Sequence, residues 1–291
     1  MRNRPDFIGV GAAKAGTTSL HDVLNQHPDI YLPDFKEAHF FDFDENYSRG
    51  EKWYDKTVFG KYAGQKIKGE ITPSYIYFPD VPKRILDMVG PDVKLIFMFR
   101  HPVGRAWSHY QMHRLRGNEK LTFEQAVLAE PERLKQDMLT VSRFSYMDRG
   151  FYSQQVERYL QYFPKENMHF IIFEEFVKDM AGHTADLLGF LGVSQMELDY
   201  SIRSNKQAEQ KNKSVAKLIH QPSRLKKLLR PMVPSKLAKK ARYSLNRMNE
   251  GEAVRSELDP DLKIQLFEAH FQEDSEKLSN LIGRDLSCWM N

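Results

Sequence analysis

The amino-acid sequence predicts a three-layer α/β fold with a central, mostly parallel sheet. Three observations predict it. Short apolar runs alternate with helical patterns along the chain. One run, VKLIFMFR at 93–100, is almost continuously apolar, as a strand covered on both faces must be. A small-residue segment, Gly11 to Ser19, joins the first run to a helical pattern.

The elements follow in order. DFIGVGAA at 6–13 is apolar and ends in small residues, so it reads as a buried strand. Leu20, Val23 and Leu24 share one face of a helix from Thr17 to about Asn25. KIKGEIT at 66–72 is a second strand. PDVPKRILDMVG is a helix with Pro82 near its start and Gly90 at its end. The strand at 93–100 leads into a long helix from Pro102 to Leu115. Residues 122–130 form another helix, and SQQVERYLQYF at 153–163 an amphipathic one. MHFIIFEEF at 168–176 opens with a buried strand, and 181–192 is helical with Gly192 as its stop. Leu262, Ile264, Leu266, Phe267, Phe271, Leu278 and Leu281 line one final helix over 259–284. The expectation is a single domain over 1–291, with a basic helical and loop segment at about 203–250.

Composition narrows the classes. Apolar residues make up 41% and charged residues 28%, which suits a packed globular core. The lone cysteine, Cys288, excludes an intrachain disulfide and a four-cysteine zinc site, and it fits a reducing compartment. No run of about 20 apolar residues is present, so no membrane span is expected and the chain reads as cytoplasmic. The net charge of +4 hides an asymmetry. Residues 203–247 carry fourteen Lys/Arg and one acid, Glu209, for a charge of +13, and the remainder carries −9. Such a segment is either a solvated face or a surface for an anionic ligand, acceptor or membrane.

The most informative stretch is Gly11-Ala12-Ala13-Lys14-Ala15-Gly16-Thr17-Thr18-Ser19. It follows a strand and opens a helix. Small residues let the backbone approach a ligand, and the helix start offers N–H groups to an anion. Gly11 and Gly16 keep the spacing of a Walker A loop, but Thr17 stands where that loop places its lysine. Lys14 lies inside the loop instead. A triphosphate enzyme also needs a magnesium-binding acid after a buried strand. Here the strand VKLIFMF ends in Arg100, a cation that attracts an anion and repels a metal. Arg100 can fork onto a phosphate, and Ser108, eight residues on, can complete the grip. Two anion sites at strand ends suit a nucleotide with 5′- and 3′-phosphate groups.

These segments together resemble the PAPS-dependent sulfotransferases, where PAPS is 3′-phosphoadenosine 5′-phosphosulfate. AAKAGTTSL is similar to the family's 5′-phosphosulfate loop, and FRHPVGRAWSHYQMHR to its 3′-phosphate motif. The resemblance continues through HPDIYLPDFKEAHFFD, ITPSYIYFPDVPKRI, RGFYSQQVERYLQYFPKENMHFIIFEEF and the closing GRDLSCW. It is nearest to the carbohydrate branch that sulfates heparan sulfate. It implies a nucleotide-kinase-like fold with about five parallel strands, PAPS as donor, PAP as product and no metal. By this resemblance Lys14 holds the 5′ side of the donor and stabilises the leaving group. Main-chain groups of Ala15, Gly16 and Thr17, with the Thr18 and Ser19 hydroxyls, bind the 5′-phosphate. Arg100 and Ser108 bind the 3′-phosphate. Lys211, Lys213 and Ser214 stand at a similar place to a basic loop that closes over the nucleotide in relatives, with little likeness in sequence.

Sulfuryl transfer needs a base for the acceptor and a partner for the leaving oxygen. Glu37, in KEAHFFD, matches the family's base glutamate. His39 lies two residues on and would share its face in an extended segment, either as base or as a group that positions the acceptor. Asp42, Tyr47, Arg49, Trp53 and Tyr75 are candidates for the acceptor pocket. One departure stands out. Relatives often carry a lysine after the glutamate of the segment that here reads Glu70-Ile71-Thr72-Pro73, so any contact of that lysine is absent or supplied elsewhere. A carbohydrate-like acceptor with a hydroxyl or amine is favoured, and no nucleic-acid partner is expected. Two other readings stand beside it. One is a phosphoryl-transfer enzyme of the P-loop kinase type. The other is a non-catalytic binder of an anionic polymer or membrane through 203–247.

Overall fold

The computed structural model describes residues 4–201 and 257–290. The basic segment at 203–247, with Lys211, Lys213 and Ser214, lies outside the described residues. The described chain divides into two compact units. One takes the chain up to Ala106, the stretch from Met147 and the part from Asp259. The other is built on Trp107–Tyr146.

The elements run β1 (Phe7–Gly11), α1 (Thr17–Leu24), β2 (Ile30–Tyr31), α2 (Asp44–Tyr47), α3 (Gly50–Val58), β3 (Ile67–Ile71), α4 (Val81–Val89), β4 (Lys94–Phe99) and α5 (Pro102–Leu115). They continue with α6 (Phe123–Arg133), α7 (Met138–Phe144), α8 (Tyr152–Leu160), β5 (Met168–Ile172), α9 (Phe173–Phe176), α10 (Met180–Leu191), α11 (Pro260–His270) and α12 (Gln272–Ile282).

The five strands form one sheet in the order β2-β3-β1-β4-β5, and every neighbouring pair is parallel. After β1 the chain moves to one edge of the sheet, and after β4 it moves to the other. The C-terminal ends of β1 and β4 therefore flank a topological switch point, where open α/β sheets bind ligands. β1 is buried throughout, and β4 is buried from Leu95 to Phe99. Phe97 packs edge-on to Tyr159 at 5.2 Å and lies the same distance from Phe170. Covering both faces requires helices on the crossovers, and α4, α5 and α8 stand between the strands as the apolar patterns predict.

Local chemistry sets the helix ends. Thr122 and Gln125 form a reciprocal capping box at the start of α6. The carboxylate of Asp274, on α12, accepts from the Tyr152 and Ser153 N–H groups at the start of α8. Within the second unit, the buried Glu119 carboxylate pairs with Arg133 at 2.5 Å and accepts from the Tyr146 hydroxyl at 3.1 Å.

One sequence expectation needs correction. The final helix over 259–284 is two helices, broken at Phe271. Phe271 is fully buried and packs on Phe151 at 4.9 Å, and its ring also lies against Gly150. That packing holds its backbone at φ −123°, outside the helical range. Periodicity alone carries no sign of the break, because apolar positions continue through it.

Candidate active site

The loop after β1 is tied to β4 by the Ala12 N–H, which donates to the Met98 carbonyl at 2.7 Å. Two residues then take left-handed backbone, Lys14 at φ 71° and Gly16 at φ 98°. Glycine is required at position 16. A Cβ there would fall 2.6 Å from the Phe173 ring. For Lys14 the same conformation carries strain on the order of 1–3 kcal/mol, which is concentrated at functional sites. The turn delivers the chain into α1 with Gly16 as N-cap and without a side-chain cap. The Ser19 N–H donates to the Gly16 carbonyl at 3.0 Å, while the Thr17 and Thr18 amides ahead of it have no intrahelical carbonyl to bind.

Arg100 follows β4. Its Nη1 donates to the Lys14 carbonyl at 3.3 Å, and its guanidinium lies 4.8 Å over the Phe173 ring. The Arg100 carbonyl accepts from the Tyr152 hydroxyl at 3.0 Å. Lys14 and Arg100 are thus joined across adjacent strand ends. Ser108 is half-buried on α5 and belongs to the second unit.

A third cation stands at the loop. The Lys36 ammonium donates to Thr17 Oγ1 at 3.1 Å and to Thr18 Oγ1 at 2.8 Å. It also lies 4.0 Å from Glu37 Oε1. Burial holds its pKa below the usual lysine value.

Glu37 and His39 meet, but not through an extended segment. Both have left-handed backbone, at φ 68° and φ 48°. His39 Nε2 lies 3.5 Å from Glu37 Oε2, and His39 Nδ1 lies 2.8 Å from Asp42 Oδ2. Ser74 Oγ donates to the same Asp42 oxygen at 2.5 Å. Burial pulls the His39 pKa down, but hydrogen bonds to Asp42 and Glu37 override it and hold it at about 9. At neutral pH the ring is an imidazolium that donates from both nitrogens. Glu37 is 46% exposed at its side chain, so its carboxylate can reach a ligand. Asp42 is fully buried there and supports His39 from behind.

The loop carrying Glu37 hangs on a buried network. The Ala38 N–H donates to Thr72 Oγ1 at 2.9 Å, and the Phe40 N–H to the Tyr75 hydroxyl at 3.0 Å. Thr72 and Tyr75 in turn donate to Glu70 at 2.7 and 3.0 Å, and Tyr54 adds a third bond at 2.8 Å. Burial raises the Glu70 pKa, and the three hydroxyl bonds oppose that rise. Tyr75 is fully buried and belongs to this network rather than to an open wall. Ile71 is buried against Gly9 and presents no polar group. Trp53 stacks on Phe40 at 5.9 Å, with the exposed Arg49 guanidinium 5.0 Å over its ring. Tyr47 lies beneath the Arg84 guanidinium at 4.8 Å.

The family model of the sulfotransferase domain matches residues 4–278. The chain belongs to the sulfotransferase family. A solved sulfotransferase from Alicyclobacillus acidocaldarius is 32% identical, with a TM-score of 0.72 over 99% of each chain. Mouse heparan sulfate glucosamine 3-O-sulfotransferase 5 is 35% identical over 174 residues, which are 59% of this chain and 48% of the relative. The human 3-O-sulfotransferase 3B1 is 33% identical over 202 residues, 69% of this chain and 50% of the relative. The chain spans about half the length of these curated relatives.

In this sulfotransferase, sequence reasoning names Lys14, Gly16, Arg100, Glu37 and His39, assigns their supports Asp42 and Tyr75 to the acceptor pocket, and misses the others. Lys36 is adjacent to Glu37 and had a signal, a lysine within one residue of a candidate base. Phe173 had none, because its contact with Gly16 and Arg100 depends on β5 lying beside β4. Glu70, Thr72 and Ser74 are polar residues at the end of a buried strand, an expensive placement that marks a network. Among the described residues, no helix is long and apolar enough to cross a membrane.

Proposed function

We propose that this sulfotransferase moves a sulfuryl group from PAPS to a hydroxyl or amine of a carbohydrate-like acceptor. The observation that carries the donor is the bond from Arg100 to the Lys14 carbonyl. It sets two cationic side chains on adjoining strand ends, as a nucleotide with 3′- and 5′-phosphate groups requires. The Gly16, Thr17 and Thr18 amides with the Thr17, Thr18 and Ser19 hydroxyls receive the 5′-phosphosulfate, and Arg100 receives the 3′-phosphate.

The reaction is an in-line displacement at sulfur. The acceptor oxygen or nitrogen forms a bond to sulfur as the bond from sulfur to the bridging oxygen breaks. The acceptor proton passes to Glu37, and the electron pair leaves with PAP. Lys14 balances the charge that grows on the leaving oxygen. His39 is already protonated at neutral pH, so it serves as an electrostatic and orienting partner of Glu37 rather than as the base. The carbohydrate acceptor draws support from the glucosamine sulfotransferases among the relatives and from the Trp53 ring beside Arg49.

Labelled PAPS with a panel of sugar, amino-sugar, phenol and lipid acceptors tests this reading. Label transfer to sugars, unaffected by EDTA, is the expected outcome. Magnesium-dependent turnover of ATP without turnover of PAPS would replace it with phosphoryl transfer.

A further inference from the structure

Lys36 occupies a position that Lys14 and Arg100 do not explain. Its side chain touches both halves of the candidate site. Its ammonium lies within 2.8–3.1 Å of two hydroxyls at the start of α1 and 4.0 Å from the Glu37 carboxylate. A hydroxyl has one proton and two lone pairs. An ammonium that donates into a lone pair turns the hydroxyl proton away from itself. The hydroxyls of Thr17 and Thr18 then become donors toward whatever lies at the helix start. Thr17 is buried, so its hydroxyl has little water to bond. The side chain of Lys36 is only 17% exposed, and a cation so placed is stabilised by an anion nearby. Glu37, at the long edge of ion-pair distance, and Asp22 both supply opposing charge, yet burial still holds the ammonium pKa down.

We infer that Lys36 is a donor-positioning residue, which orients the Thr17 and Thr18 hydroxyls onto the 5′-phosphosulfate and adds positive charge at that end of the nucleotide. The inference rests on the PAPS reading above. It also answers for Ile71, whose buried apolar side chain leaves the end of β3 without a cation.

Equilibrium binding of PAP and of adenosine 3′-phosphate separates the possibilities. Both nucleotides bind the wild-type protein if the donor reading holds. Lys36→Met is expected to weaken PAP by about 10- to 100-fold, the range for a bond to a charged group, and to leave adenosine 3′-phosphate nearly unchanged. Lys36→Arg restores most of the loss. Thr18→Val costs PAP affinity in the wild type and much less in the Lys36→Met background, since the two act as one unit. Unchanged PAP binding in Lys36→Met overturns the inference. Equal losses for both nucleotides, or a lowered melting temperature that Lys36→Arg does not recover, assign Lys36 a purely structural role and also overturn it. Failure of the wild type to bind either nucleotide removes the PAPS reading itself, and this inference with it.

Discussion

His39 Nε2 stands 3.5 Å from Glu37 Oε2, while the opposite nitrogen of the ring is held 2.8 Å from buried Asp42. The Glu37 carboxylate is therefore aimed by a charged ring that is itself fixed from behind. Two consecutive functions are separated in this arrangement. On the proposed mechanism Glu37 accepts the proton, and His39 keeps it in place and charged.

Replacing Glu37 by Gln tests the first function. The expected loss in kcat is about 10²- to 10⁴-fold, with PAP affinity preserved. Single-turnover rates and calorimetric binding on the same preparation check both parts. A near-normal kcat would take the proton-accepting role from Glu37.

His39 makes stability depend on pH in a definite direction. Its pKa in the fold, about 9, lies above the ordinary value of 6.5. Such a group stabilises the fold fully below 6.5 and loses that contribution as pH rises through about 9. Between those values the melting temperature of the wild type should fall more than that of His39→Gln. Parallel curves for the two proteins would show that the ring is not protonated in the fold.

On the proposed reading Arg100 holds the 3′-phosphate of the donor. Arg100→Ala should weaken PAP by about 10- to 100-fold and adenosine 5′-phosphate much less. Competition binding with the two nucleotides measures the split. Equal losses would mean that Arg100 serves only its bond to the Lys14 carbonyl.

The Tyr75 hydroxyl links Glu70 to the Phe40 N–H inside the core. Tyr75→Phe removes both bonds, leaves the buried Glu70 carboxylate with its Tyr54 and Thr72 partners only, and strands the Phe40 amide. A loss of about 1–3 kcal/mol in unfolding free energy is expected, together with a lower kcat and an unchanged Kd for PAP. Urea unfolding and initial rates check the pair. A lowered Kd-independent rate with full stability would place Tyr75 in the reaction rather than in its support.

Much of this architecture was legible in the residues. The apolar run ending at Phe99 and the helix from Pro102 to Leu115 follow from burial on both faces and from proline's fit at a helix start. The five-stranded parallel sheet agrees with the expectation from the family resemblance. Glu37 and His39 were nameable, but their meeting was not. Left-handed backbone at a glutamate and a histidine carries no sequence signal, because side-chain bonds to Thr72, Tyr75 and Asp42 impose it. The break at Phe271 was hidden for a similar reason, since a distant ring at Phe151 decides it. The direction of the Lys36 side chain was equally out of reach, as it depends on where the loop after β2 passes α1.

Phe173 packs under Gly16 and against the Arg100 guanidinium. On the proposed reading this one flat ring stands between the grips for the two ends of the nucleotide, and its fixed size would set the length of bisphosphate that both can hold at once. By the same reading, substitutions between Asp42 and Trp53, beyond Lys36, retune the acceptor while the choice of donor stays as it is.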